Sequence, residues 1–157
     1  MKALTTYFRP ILEYGTPVWS HHTVSNINKI ESYQRWFTKR IKCFHNLNYS
    51  QRLAYLGLDS LEITRIKYDL VMCFKITKGE ILSQCRFFGC QTVLQIRGHM
   101  YKLYKQQASA IAYKFVFSNW VCEIWSALHS NVVESSSSAM FKRLLDNVKL
   151  SNIESLC

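Results

Sequence analysis

Residues 27 to 44 read I-N-K-I-E-S-Y-Q-R-W-F-T-K-R-I-K-C-F, and the spacing of their side chains decides the fold. Ile27, Ile30, Gln34, Phe37, Ile41 and Phe44 recur at alternating steps of three and four, the period of one face of an α-helix. At about 100° per residue, Arg35, Lys39 and Lys42 cluster away from that face, with Trp36 at the border between the two. The spacing predicts a helix over 27–44 that packs through one stripe and turns a basic row outward. Such a row fits either an ordinary solvated face or a ridge lying along a nucleic-acid backbone.

Working outward, the same helical period recurs on both sides. Ala3, Leu4, Tyr7, Phe8 and Ile11 make one face. Pro10 should kink or restart that helix, because it lacks an N–H and clashes with the carbonyl four residues back. Gly15 and Pro17 are placed to end it, with Trp19 as a packed anchor after the turn. Downstream, Ser50 can cap a short helix that Gly57 stops. Asp59 and Glu62 have capping-box spacing, and Leu58 with Ile63 would staple a helix starting near Ser60 and running through Ile66, Leu70, Cys73, Phe74 and Thr77. Residues 80–98 lack a period and contain Gly89 and Gly98, so they read as a connector, with an extended piece over Thr92 to Ile96. Phe117, Trp120, Val121, Ile124, Trp125 and Leu128 form a buried stripe, in which the tryptophans read as core. Serines 135 to 138 can cap a last helix whose inner face is Phe141, Leu144, Leu145 and Val148. The expected class is mainly α, with about five to seven helices forming a bundle or two lobes joined by an irregular connector. The division expected is a basic lobe over 1–79, a connector over 80–98 and a C-terminal lobe over 99–157.

A chain of 157 residues that is 48% hydrophobic has enough apolar side chains for a sizeable core. Its formal net charge is +10, distributed unevenly. Residues 1–57 carry eight Lys or Arg against Glu13 and Glu31, a net +6. That excess suits a polyanion, because cations displace counterions from phosphates, and it would also attract an anionic membrane surface. The six cysteines are irregularly spaced, which argues for reduced thiols in an intracellular protein rather than a disulfide framework. No signal-peptide apolar region follows Met1, and no apolar run approaches the roughly 18 residues of a membrane span.

Candidate chemistry is sparse. Nucleotidyl transfer needs carboxylates that hold two divalent metal ions. The aspartates are Asp59, Asp69 and Asp146, none in an aromatic-x-Asp-Asp turn. Asp59 reads as a helix cap and Asp69 as a surface residue, so no catalytic residue is expected. Cys85, Cys90 and His99, with Cys73 or His129 as a fourth ligand, make a weak zinc set, because the gap from Cys85 to Cys90 exceeds the usual spacing. Free thiols are preferred. Cys43 beside His45 is too close in sequence for the two to face each other on a helix.

The string Y-F-R-P-I-L-E-Y-G-T-P-V-W-S at Tyr7 to Ser20 resembles the segment just downstream of the polymerase palm in non-LTR (LINE-type, jockey-like) retrotransposon reverse transcriptases. Further blocks follow in the family's order. They are Ile30 to Ile41, Leu47 to Leu70 with L-G-L-D-S-L-E-I-T-R at its centre, R-G-H at Arg97 to His99, Phe117 to Leu128, and F-K-R-L-L-D at Phe141 to Asp146. The resemblance implies the thumb and post-thumb region of an RNA-directed DNA polymerase, with palm and endonuclease absent from the stretch it covers. Its implied partner is an RNA–DNA or DNA duplex, gripped without sequence preference through Arg35, Lys39, Arg40 and Lys42. It implies no cofactor here, since the family's Mg2+ ions belong to the palm. Two departures are visible. His129 stands where the family commonly has proline, and Gln107 to Ala112 stand where several arginines are usual. Phosphate contact is thus carried over to the first lobe, while the second is assigned no mechanism. The alternatives are a helical protein-interaction module and a decayed remnant without a nucleic-acid role.

Overall fold

A computed structural model describes residues 4–14, 24–42, 44–81, 101, 103 and 117–148. Among the described residues the elements are a π-helical segment Leu4–Phe8 and seven α-helices: α1 Arg9–Glu13, α2 Val24–Lys39, α3 Tyr49–Leu56, α4 Leu61–Thr77, α5 Phe117–Ala127, α6 Ser130–Val133 and α7 Ser138–Asn147. No strand occurs among the described residues, and the protein is mainly α, as the periodicity predicts. The chain divides into two compact units, residues 1–66 and 67–157. That division falls within α4. Glu80 and Ile81 apart, the connector expected over 80–98 lies outside the described residues, as do Gly15, Pro17, Trp19 and the extended piece at Thr92 to Ile96.

In the first unit, Pro10 marks the change from π-helix to α-helix. It occupies the first turn of α1. Arg9 beside it is buried. Its Nε donates to Glu13 Oε1 at 2.7 Å, and its Nη2 donates to Thr64 Oγ1 at 2.7 Å, tying α1 to the first turn of α4. Phe8 packs against Phe37 of α2 with ring centroids 5.7 Å apart. α2 ends at Lys39, before the expected Phe44. Beyond it the chain tightens into three-residue turns, with Arg40 N donating to Phe37 O and Phe44 N to Ile41 O. Phe44 is buried against the edge of Tyr55, with centroids 5.1 Å apart.

α3 is capped by Asn48 rather than by Ser50. Asn48 Oδ1 accepts from Gln51 N while Gln51 Oε1 accepts from Asn48 N, so two orphan donors of the helix start are satisfied reciprocally. Gly57 ends it at φ +60°, a left-handed conformation that suits glycine. The N–H groups at the start of α4 have side-chain acceptors from two places. Ser60 Oγ accepts from Ile63 N at 3.2 Å, and Glu31 Oε2, from α2, accepts from Leu61 N at 3.0 Å.

The second unit is aromatic at its centre. Phe74 stacks on Phe141 at 4.5 Å, Trp125 lies 6.0 Å from Phe141, and all three are fully buried. Trp125 Nε1 donates to Tyr101 O at 2.7 Å, which satisfies the ring's polar edge. Phe117, Val121, Ile124 and Leu128 are buried with it, and Trp120 is partly buried. Ser137 caps α7 by accepting from Met140 N, and Phe141 and Leu145 form its inner face. Asp69 corrects the sequence reading. It is fully buried rather than on the surface, and Arg65, one helical turn earlier, is buried too.

Candidate nucleic-acid interface

The orientation of α2 follows from three polar residues. Glu31, Gln34 and Thr38 are its buried positions, at 5%, 1% and 0% exposure, whereas Ile27, Ile30, Phe37 and Ile41 are only partly covered. At about 100° per residue the three lie within about 60° of one another, so the helix is seated on a polar strip beside the apolar stripe. Buried polar atoms need partners, and most of those on these three find theirs within α2, on α3 or just before and at the start of α4, while Gln34 Oε1 has none among the described residues. Tyr49 donates its hydroxyl hydrogen to Glu31 Oε1. Gln34 Nε2 donates to Tyr49 Oη at 3.1 Å and to Asp59 O at 3.2 Å. Thr38 Oγ1 donates to Gln34 O at 2.8 Å and accepts from Arg52 Nε at 3.3 Å. Arg52 Nη1 in turn donates to Leu47 O at 2.7 Å.

Tyr49 is the hub of this network. Burial, followed by the hydrogen bond to Glu31 and the charge of that carboxylate, raises its hydroxyl pKa well above the ordinary value. The phenol therefore stays protonated and keeps donating to Glu31.

With that strip facing inward, the basic residues must face out. Arg35, Lys39, Arg40 and Lys42 are all exposed. None forms an ion pair with a carboxylate among the described residues. They do not make one helical row. Arg35 and Lys39 are on α2, whereas Arg40 and Lys42 belong to the turn that follows, because the helix stops five residues short of Phe44. Two of the four are braced by aromatic rings. The Arg35 guanidinium lies 5.1 Å from the centroid of Tyr49, and that of Arg40 lies 3.7 Å from the centroid of Trp36. A cation held on a ring has lost part of its rotamer freedom before it meets a ligand.

Sequence reading did not find the network around Tyr49. The signal is present, since Glu31 and Thr38 keep the three-and-four spacing with Gln34, which the stripe already contains, but a stripe read for apolar side chains passes over the other two. It also set Trp36 at a border, whereas the ring is 52% exposed and Tyr33 is 55% exposed.

For metal binding, Cys85, Cys90 and His99 lie outside the described residues, as does Cys43. Among the described residues no three His, Cys, Asp or Glu come together as a metal site. Cys73 is buried, and burial followed by the neighbouring Cys122 pushes its thiol pKa up, away from the thiolate that a metal ligand requires. His129 caps α6, with Nδ1 accepting from Asn131 N at 3.5 Å. Among the described residues no helix is long and apolar enough to cross a membrane. Compared with protein-family models, curated proteins and solved structures, the chain matches none.

Proposed function

We propose that this chain is the gripping, non-catalytic part of a retrotransposon RNA-directed DNA polymerase, holding a template-primer duplex through its phosphates. The observation that carries the reading is the group of four cations, Arg35, Lys39, Arg40 and Lys42, exposed together around the C-terminal end of α2 with no carboxylate paired to them among the described residues. Uncompensated cations on a buttressed helix bind phosphates without reading bases. The ordered sequence blocks add the polymerase context. An RNA–DNA hybrid at low salt, followed by fluorescence anisotropy, tests it. Arg35→Glu, Lys39→Glu and Lys42→Glu together should weaken binding more than about tenfold and flatten the dependence of log affinity on log salt by roughly one unit per lost contact. Undetectable binding by the native chain, or equal binding by the triple variant, refutes the proposal.

A second reading has its own support. Tyr7, Ile11 and Tyr14, spaced by four and three, are all exposed along the π-helical segment and α1. An apolar row of that kind suits a protein partner or a second copy. Under that reading the native chain elutes as an oligomer in size-exclusion chromatography and Ile11→Asp returns it to monomer.

A further inference from the structure

The side of α2 diametrically opposite its buried polar strip carries Lys29, Tyr33 and Trp36, and Arg40 follows in the turn after the helix. The three helical residues are spaced by four and three, so at about 100° per residue they fall within about 60° of one another. All four are exposed. The result is a stripe that alternates cation, aromatic, aromatic, cation. Arg40 rests on Trp36 at 3.7 Å, so the last two members form one composite surface. Arg35 and Lys39 sit on one flank of it.

Phosphate contact alone needs no aromatic side chains. Two half-exposed rings between cations match a different ligand, a strand whose bases are unpaired and can lie on a π face while its phosphates meet the flanking charges. In a duplex those base faces are covered by their neighbours. We infer that the Lys29–Tyr33–Trp36–Arg40 stripe binds single-stranded nucleic acid, with bases stacked on Tyr33 and Trp36 and phosphates held by Lys29 and Arg40. The inference rests on the nucleic-acid reading above and adds a ligand class to it. Charge complementarity chooses this occupant over a protein partner, because no acidic residue lies on the stripe and both of its ends are cationic.

The test compares the full chain with Tyr33→Ala/Trp36→Ala on labelled oligo-dT and oligo-U of about twelve nucleotides and on a duplex of similar length. Both rings are half-exposed, so the double variant should melt with the native circular-dichroism midpoint, and Trp36→Phe, which keeps a π face, serves as the conservative control. The double variant should lose roughly tenfold or more in affinity for both single strands, with duplex affinity changed less than about twofold. Trp36→Phe should retain most of the single-strand affinity. Stacking is blind to the sugar, so a loss confined to one single strand overturns the inference. Unchanged single-strand binding, or an equal loss on the duplex, overturns it as well while leaving the duplex reading intact. If the native chain binds neither ligand, both readings fall together.

Discussion

Glu31 satisfies two partners that belong to different elements, the Tyr49 hydroxyl and the Leu61 amide. Removing it leaves two donors without their acceptor, one of them a backbone N–H at a buried residue. Each unsatisfied buried donor costs roughly 1 to 3 kcal/mol, so Glu31→Ala should destabilise the protein by about 3 kcal/mol. Tyr49→Phe removes a donor and leaves Glu31 with Leu61, so its cost should be nearer 1 kcal/mol. Urea unfolding of the two variants gives the comparison, and equal losses would mean that the Leu61 contact contributes nothing. A residue with a polar side chain in an amphipathic run is read as solvated by default. Glu31 and Thr38 escaped notice for that reason, because their partners lie in other elements and spacing within one helix cannot reveal them.

At the scale of elements, the sequence was most legible where a local rule acts alone. Gly57 ends α3 in a left-handed turn, Ser137 caps α7, and Pro10 sits in the first turn of α1. It was less legible where two rules compete. Both Asn48 and Ser50 can cap, and Asn48 does so because Gln51 stands three residues on to complete the reciprocal pair. Asn48→Ala should therefore cost about 1 kcal/mol, while Ser50→Ala should be nearly neutral, as thermal unfolding of the two variants would show. The helix expected over 27–44 ends at Lys39 for a related reason. Ile41 and Phe44 continue the period, but in the structure they continue it through three-residue turns rather than through α2. Of the candidate site, the exposure of Arg35, Lys39 and Lys42 follows from spacing, whereas Arg40 enters only through the resemblance. The bracing of Arg35 and Arg40 by Tyr49 and Trp36 does not follow from spacing, since ring-to-cation contacts depend on rotamers and, for Tyr49, on a separate helix.

For the whole molecule, two acids whose pKa values are raised, the Tyr49 phenol and the Cys73 thiol, predict the alkaline limit of stability. Tyr49 belongs to the first unit and Cys73 to the second. Burial is the largest cause of both shifts, with Glu31 adding to the first and Cys122 to the second. In the unfolded chain these groups ionise near their ordinary values of 10.0 and 9.0. The native state keeps both protons to higher pH, so above those values the unfolded chain binds fewer protons and stability falls as pH rises. Their contribution is fully present below about pH 9 and is lost progressively above it. Urea midpoints of the native chain should be lower at pH 10.5 than at pH 8.5, which lie about half a unit above the higher and below the lower of these two values. Tyr49→Phe and Cys73→Ala should each show a smaller drop than the native chain, whatever their stability at neutral pH.

The carboxylate of Glu31 also has an evolutionary consequence. One side chain of α2 meets Tyr49 of α3 and the first residue of α4, so positions 31 and 49 are under a joint constraint although 18 residues separate them. Loss of the acid would strand both of its partners, whereas loss of the phenol would leave Glu31 with the Leu61 amide alone. Descendants of this sequence should keep or exchange the acid and the phenol as a pair, and the outward basic face should erode in lineages where the pair has been broken.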